Sequence, residues 1–266
     1  MRYKKLVLSL LFFFGLLSTV SAQRAEVGID AGGAGYMGDL NVNNPLKISG
    51  ISAGIFAKIN FDPYWGLGLY YTYGSVKAND LSSSNADLRK RGLNFKSNLH
   101  EISILTELNF FDIYSPVAKK RFTPFIFAGI GGFIFNPKAN YGGGDATLRI
   151  YRTEGPLEQY KNYAITVPYG AGAKYRLTEN LTLFSKIGYR TAFTDHLDDV
   201  SGVYPAANSW RGDPPNQAAY SYFLSDPSQD PTKVGTQRGD FRKRDTYMFV
   251  SIGISYTFVS QKCFTF

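Results

Sequence analysis

The chain has 266 residues and a formal net charge of +8, from 29 Lys and Arg against 21 Asp and Glu, an excess too small to indicate nucleic-acid binding. Its 19 Tyr, 21 Phe and 27 Gly suit pleated sheets and turns. The single Cys, Cys263, excludes an internal disulfide, and the lack of any run of about 18 apolar residues after position 22 excludes a transmembrane helix.

The first 22 residues have the pattern of an export signal. Arg2, Lys4 and Lys5 precede an apolar run, and Val20-Ser21-Ala22 offers small residues for cleavage. We therefore expect a mature chain from Gln23, with a formal charge of about +5 once those three cations are removed. Residues 23–258 are expected to form one domain, followed by a short tail at 259–266.

Eight segments then have the pattern of strands: they alternate apolar with small or polar side chains, except the fifth, which is apolar on both faces. In chain order they lie at about 25–35, 49–61, 65–77, 96–110, 122–135, 163–177, 180–194 and 245–258. Most are long enough to cross a bilayer as tilted strands. Pro168 interrupts the clearest segment and predicts a bulge or a locally broken hydrogen bond there, because proline cannot donate to a ladder.

The connections between these segments alternate between short and long. The long connections are expected at about 36–48, 78–95, 136–162 and 195–244. This pattern predicts an all-β fold, an eight-stranded antiparallel up-and-down transmembrane β-barrel with long extracellular loops and both termini in the periplasm. A soluble lipocalin-like barrel is the alternative, but it would turn its apolar faces inward.

The polar faces predict a small lumen closed by ion pairs rather than a catalytic site. The candidates for these pairs are Lys58, Glu101, Glu107, Lys174, Lys186 and Arg190. Glu101 and Glu107 share a face but lie about 20 Å apart, too far for an acid–base pair. His100 and Ser103 point to opposite faces, so they cannot form a hydrolase pair. We expect no enzymatic activity, no cofactor, no metal and no small-molecule substrate.

The long loops carry charged groups with two possible uses each. Asp195, His196, Asp198 and Asp199 could ligate Ca²⁺, but the run lacks the spacing of a calcium loop, and a solvated acidic entrance is the favoured interpretation. At the outer rim, phosphates of lipopolysaccharide could pair with cations that otherwise form a solvated rim, namely Arg238, Arg242, Lys243 and Arg244. Arg-Gly-Asp occurs twice, at 211–213 and 238–240, which is a weak indication of adhesion.

Several short motifs in the loops resemble those of one family. They are Tyr36-Met37-Gly38-Asp39-Leu40, Arg91-Gly92-Leu93-Asn94-Phe95, Glu107-Leu108-Asn109-Phe110-Phe111, Phe135-Asn136-Pro137, Thr153-Glu154-Gly155, Pro168-Tyr169-Gly170 and Thr194-Asp195-His196-Leu197-Asp198-Asp199-Val200-Ser201. In this order the chain resembles the PorG-like outer-membrane proteins of Bacteroidota, which are associated with the type IX secretion system and with gliding. The motif residues of most interest are Gly38, Asp39, Asp195, Asp198 and Asp199. His196 stands where the family pattern has Tyr, and Gly92 where it has Asn.

The resemblance implies a non-enzymatic anchor for a periplasmic ring, built from a lipoprotein and its partner subunit. Topology alone places the candidate contacts at the periplasmic turns, with docking and solubility equally open for the basic run. They are Asp62, Tyr64, Lys119, Lys120, Arg121 and Glu179. Expected partners are therefore the ring subunits, outer-membrane lipids and lipopolysaccharide. A stand-alone structural or adhesin-like barrel and a lipid-modifying enzyme are the alternatives.

Overall fold

A computed structural model describes residues 24–115, 118–141, 143–155, 159–240 and 242–258. The expected export signal and the tail at 259–266 lie outside the described residues. Among those residues, no helix has both the length and the apolar character needed to span a bilayer.

Within these ranges, nine strands and three helices follow one another along the chain. The strands are Arg24–Met37 (β1), Ile48–Asn60 (β2), Trp65–Asn79 (β3), Asn94–Asn109 (β4), Phe122–Tyr141 (β5), Gly144–Thr147 (β6), Tyr163–Arg176 (β7), Leu181–Ala192 (β8) and Thr246–Thr257 (β9). The helices are Ala86–Arg91 (α1), Leu148–Tyr151 (α2) and Pro215–Ser225 (α3), and two short 3-10 turns cover Asp80–Ser82 and Pro231–Lys233.

Eight long strands close into an antiparallel barrel. Each pairs with its neighbours in sequence, β5 pairs with β7, and β1 pairs with β9 to complete the ring. The short β6 adds to the end of β5, outside the ring. The predicted fold class and all eight predicted strands are thus confirmed. The connection predicted to begin at about 136 begins later, because β5 continues to Tyr141.

The barrel turns its apolar faces outward. Ile51, Ile130 and Ile165 have exposed fractions of 69%, 65% and 64%, while charged side chains such as Glu101 are fully buried inside. Water would oppose this inverted arrangement, whereas the hydrocarbon core of a bilayer favours it. The exterior therefore identifies an outer-membrane type of barrel and excludes the lipocalin-like alternative, whose exterior is polar.

Pro168 weakens one ladder without shifting it. β5 and β7 pair at Ala128 with Tyr169 and again at Gly131 with Thr166, with no pairing between these two positions. The register is the same on both sides of the gap. The prediction of a locally broken hydrogen bond at Pro168 is confirmed, and there is no bulge.

The two ends of the barrel differ. One end, the turn rim, has the connections 61–64, 110–121 and 177–180. The other end, the loop rim, is covered by the loop cap, which is formed by the described residues of 38–47, 80–93, 142–162 and 193–245. Apolar side chains of the cap, including Leu148, Leu197 and Leu224, pack with Phe133 and Phe135 of the barrel in one buried cluster. The long loops therefore close the mouth of the barrel.

Candidate functional site

The lumen beside the turn rim contains a neutral set of two acids and two lysines. Lys58 on β2 donates to Glu107 on β4 at 2.8 Å and pairs with Glu26 on β1 at 3.0 Å. Lys174 on β7 also pairs with Glu107 and donates to Asn109 at 3.1 Å. Because each buried charge has an opposite partner, the four groups avoid the penalty for unpaired buried ions.

Two further ion pairs follow along the lumen toward the loop rim. Lys186 donates to Asp30 at 2.8 Å, and Arg190 pairs with Glu101 at 3.2 Å. All six predicted lumen residues thus lie inside the barrel and in ion pairs. Sequence reasoning missed Glu26 and Asp30, although their even positions in β1 are those of its inward face.

Between these charged layers, aromatic rings fill the lumen. Phe56, Tyr70, Leu105, Phe125, Phe127 and Phe184 form one buried cluster. A Cβ atom at Gly28 would clash with the ring of Phe56, and one at Gly188 with the ring of Phe127, so these glycines make room for the rings. The cavity that remains here has a volume of ≈ 10 Å³, enough for about one water molecule. Over this stretch the lumen is a packed core.

The motif residues from separate loops meet inside the loop cap. Carboxylate oxygens of Asp39, Asp198 and Asp245 lie within 4.8 Å of one another, and all three residues are buried. Asp198 accepts a hydrogen bond from the Tyr36 hydroxyl, and Asp245 accepts one from the Leu197 amide at 3.0 Å. A Cβ at Gly38 would clash with both the Tyr36 hydroxyl and the Asp245 carboxylate, which accounts for the glycine of that motif.

Arg91 joins the first and second loops to the last loop. Its guanidinium donates to both carboxylate oxygens of Asp80, at 2.7 and 2.9 Å. It also donates to the carbonyl oxygens of Asp39 at 2.9 Å and of Arg238 at 3.0 Å. The planar fork of arginine suits such simultaneous contacts, so one side chain fixes three loops.

Arg238 joins the third loop to two parts of the last loop. It donates to the carbonyl oxygens of Asp199 at 2.6 Å and Ser225 at 3.0 Å, and pairs with Glu154 at 3.3 Å. Glu154 in turn accepts the amides of Ser201 and Gly202 at 2.6 and 2.8 Å. The expectation that Arg238 is a rim cation for lipopolysaccharide was wrong, because its side chain is buried.

The acidic run at 195–199 also differs from the prediction, which placed it in solvent. Asp198 and Asp199 are 2% and 1% exposed, and Asp195 is half-buried, so the expected solvated entrance was wrong. Asp199 has a φ of 70° and accepts hydrogen bonds from the Thr153 and Tyr160 hydroxyls. The ring of His196 stacks on Tyr160 at 4.4 Å. The run anchors loops to one another, as does the second Arg-Gly-Asp sequence, whose arginine is inaccessible.

The three clustered carboxyls have altered acidity. Burial raises the pKa of Asp198 and of Asp245 well above the usual 3.8, and the nearby carboxyl of Asp39 adds to the rise in both. Burial likewise raises the pKa of Asp39 to about 7. Groups so close can share protons, and their oxygen atoms are of the type that binds hard cations. Each residue offers one oxygen to the shared point, three in all, which is fewer than the six to eight that Ca²⁺ takes.

The predicted contact residues all lie on the turn rim. Asp62, Lys119, Lys120, Arg121 and Glu179 are exposed, and Tyr64 is 46% exposed. The basic residues lie on one turn of this rim, at 110–121, and Asp62 and Glu179 lie on the other two turns. The Lys120 amino group lies 3.5 Å from the centre of the Phe111 ring, which positions one lysine of the basic run.

Several solved outer-membrane proteins are similar to this structure. The structure is similar to Neisserial surface protein A (13% identity, 90% of this chain and 98% of that chain, TM-score 0.40). It is also similar to a major outer membrane protein of Thermus thermophilus (11%, 89% and 100%, 0.42) and to OprG of Pseudomonas aeruginosa (13%, 90% and 96%, 0.39). No curated protein sequence matches the chain significantly.

One family description covers most of the sequence. The match extends over residues 4–212, which include seven of the eight barrel strands and the motif residues Gly38, Asp39, Asp195, Asp198 and Asp199. It ends before Arg238 and Asp245, which complete the buried network of the loop cap. The chain is a member of the family described as a domain of unknown function, DUF6089.

Proposed function

We propose that this protein is a non-enzymatic outer-membrane component of the type IX secretion system that anchors the periplasmic ring complex. The observation that carries the proposal is the meeting of the PorG-like motifs in one network. The network draws on four separate loops. Arg91 of the second loop binds Asp39 of the first, and Arg238 of the last loop binds both Glu154 of the third and Asp199. Motifs that together build one buried network hold the loops in place, and this structural use favours an anchoring role.

The packed interior supports the same role. With the lumen filled by rings and ion pairs, neither conduction nor catalysis has a site there. Partners must then bind at one of the two rims or on the lipid-facing exterior of the barrel. We place the loop rim outside the cell and the turn rim in the periplasm, because short turns face the periplasm in this class of barrel. The ring lipoprotein and its partner subunit would contact the turn rim.

The basic run at the turn rim is the part of this surface best suited to recognition. Lys119, Lys120 and Arg121 are consecutive and exposed, and none of them is in an ion pair among the described residues. Such a run attracts an acidic surface and steers its approach.

The test is recovery of the ring with a tagged protein from detergent-solubilised membranes. The variant K119E/K120E/R121E should insert normally but recover at least tenfold less ring. The matched control, R242E/K243E/R244E, reverses three charges at the loop rim and should recover the ring fully. Equal recovery by both variants would remove the basic run from the interface. A wild-type protein that recovers no periplasmic partner would instead support the stand-alone barrel.

A further inference from the structure

A row of lysines crosses the outer surface of the barrel near the loop rim. Lys77 on β3 lies directly opposite Lys96 on β4, and Lys96 lies opposite Lys138 on β5. All three side chains belong to the outward faces of their strands, since the residues on either side of each are buried. Lys47 lies beside the row, just before β2, and lines the same groove.

This row is electrostatically unfavourable without a ligand. Directly opposed side chains have Cβ atoms about 5 Å apart, and like charges at that spacing destabilise a sheet. In the described part of the chain, no carboxylate lies within ion-pair distance of Lys77, Lys96 or Lys138. Asp145 lines the groove as well, but among the described residues it forms no ion pair. The charges of the lumen, in contrast, are all paired.

The position of the row points to a lipid. On the same three strands, Tyr73, His100 and Ile134 form a parallel row four residues closer to the membrane centre. Four residues of strand correspond to about 13 Å, so the amino groups lie just beyond the apolar belt. The ring centres of Tyr73 and His100 lie 5.3 Å apart with their planes tilted by 60°, and the hydroxyl of Tyr71 lies 2.9 Å from Nδ1 of His100, as in an aromatic girdle at a membrane interface.

The groove around the row is large and is lined by both polar and apolar residues. Its volume is ≈ 760 Å³, and the amides of Asn79, Asn94 and Asn140 line it above the lysines. Amides bind sugar hydroxyls and ammonium groups bind phosphates, so the donors match the two parts of a phosphorylated glycolipid headgroup. The acyl chains of such a lipid would lie along the apolar belt below.

From these observations we propose that Lys77, Lys96 and Lys138, with Lys47 at their edge, bind the phosphates of a lipid A headgroup in the outer leaflet. The proposal does not depend on a role in secretion. It assigns phosphate binding to the side of the barrel at β3–β5, and not to the rim cations Arg242, Lys243 and Arg244. Of these, Arg244 already lies 4.2 Å from the centre of the Phe193 ring.

The experiment counts lipids retained by the full chain in nanodiscs, using native mass spectrometry. The probes are bis-phosphorylated lipid A, dephosphorylated lipid A and phosphatidylglycerol. Wild-type protein should retain bis-phosphorylated lipid A, and K77Q/K96Q/K138Q should retain at least tenfold less, since three charge-assisted contacts are lost. The control R242Q/K243Q/R244Q removes the same charge and should behave as wild type.

Other results would overturn the assignment. Equal retention by the lysine variant, or loss in the control variant alone, would place the site elsewhere. Equal retention of dephosphorylated lipid A would show that acyl chains, and not phosphates, are bound. Preference for phosphatidylglycerol would exclude a glycolipid site. Because the three substitutions are outward-facing and keep a polar side chain, the heat-dependent gel mobility of the barrel should stay unchanged, which shows that the variant is folded.

Discussion

Replacement of Arg238 by alanine should open the loop cap while the barrel stays folded. Arg238 is 3% exposed and holds the backbone at Asp199 and Ser225 together with the carboxylate of Glu154. Removing one partner of a buried ion pair costs about 3–5 kcal/mol, because the other partner keeps its desolvation penalty. Each 1.4 kcal/mol is a factor of ten, so the open fraction of the cap should increase by roughly two to three and a half orders of magnitude.

Limited proteolysis in nanodiscs measures this opening. When the cap recloses faster than the protease cuts, the cleavage rate within 193–245 is proportional to the open fraction. R242A is the matched control, since the Arg242 side chain is 43% exposed and its pair with Asp240, at 3.3 Å, is worth less than about 1 kcal/mol. The control should change the cleavage rate by less than about fivefold. Cleavage of R238A at the wild-type rate, with the barrel intact by gel mobility, would refute the role given to Arg238.

Three further predictions concern the acidic cluster, the lumen and the lipid face. Because burial raises the pKa of Asp39 from 3.8 to about 7, the folded cap binds this proton more tightly than the open one, so its stability is complete below about pH 4 and falls as the pH rises to about 7. Hydrogen exchange at the Asp240 amide, corrected for intrinsic rates, should therefore show a less protected cap at pH 8 than at pH 5. D39N should flatten this dependence, D145N at an exposed site should not, and equal protection of the wild type at both pH values would contradict the account. In the lumen, E107Q leaves Lys58 and Lys174 without their shared acid and should lower the free energy of unfolding by about 3–5 kcal/mol in urea titrations. The double replacement E107L/K174M should cost less than E107Q, and the reverse order would argue against pairing as the stabilising factor. On the exterior, I55R places a charge on an outward side chain that is 58% exposed, which should cost about 2–4 kcal/mol in lipid vesicles. An unchanged urea midpoint for I55R would mean that this face does not contact lipid.

The strands could be predicted because their signal is local. Alternation with a period of two depends only on neighbouring residues, so Ile51 and Ile165 already specify an outward face and Lys58 and Lys174 an inward one. The alternation of short and long connections then gave the closed barrel. The extension of β5 to Tyr141 escaped prediction because Asn136-Pro137 resembles a loop, whereas pairing with β4 and β6 stabilises it as strand.

The loop cap could not be predicted, because its contacts join residues far apart in the chain. Arg91 bonds to the carbonyl of a residue 147 positions away, and Tyr36 to Asp198 across 162 positions. No local pattern distinguishes the buried Arg238 from the exposed Arg242 four residues later. By itself, the sequence determined how many strands close the barrel and, for every strand except the fifth, which face is apolar. Only the tertiary structure decided that the acidic run is buried and that three lysines on separate strands form one row, because burial and charge spacing depend on how distant segments pack.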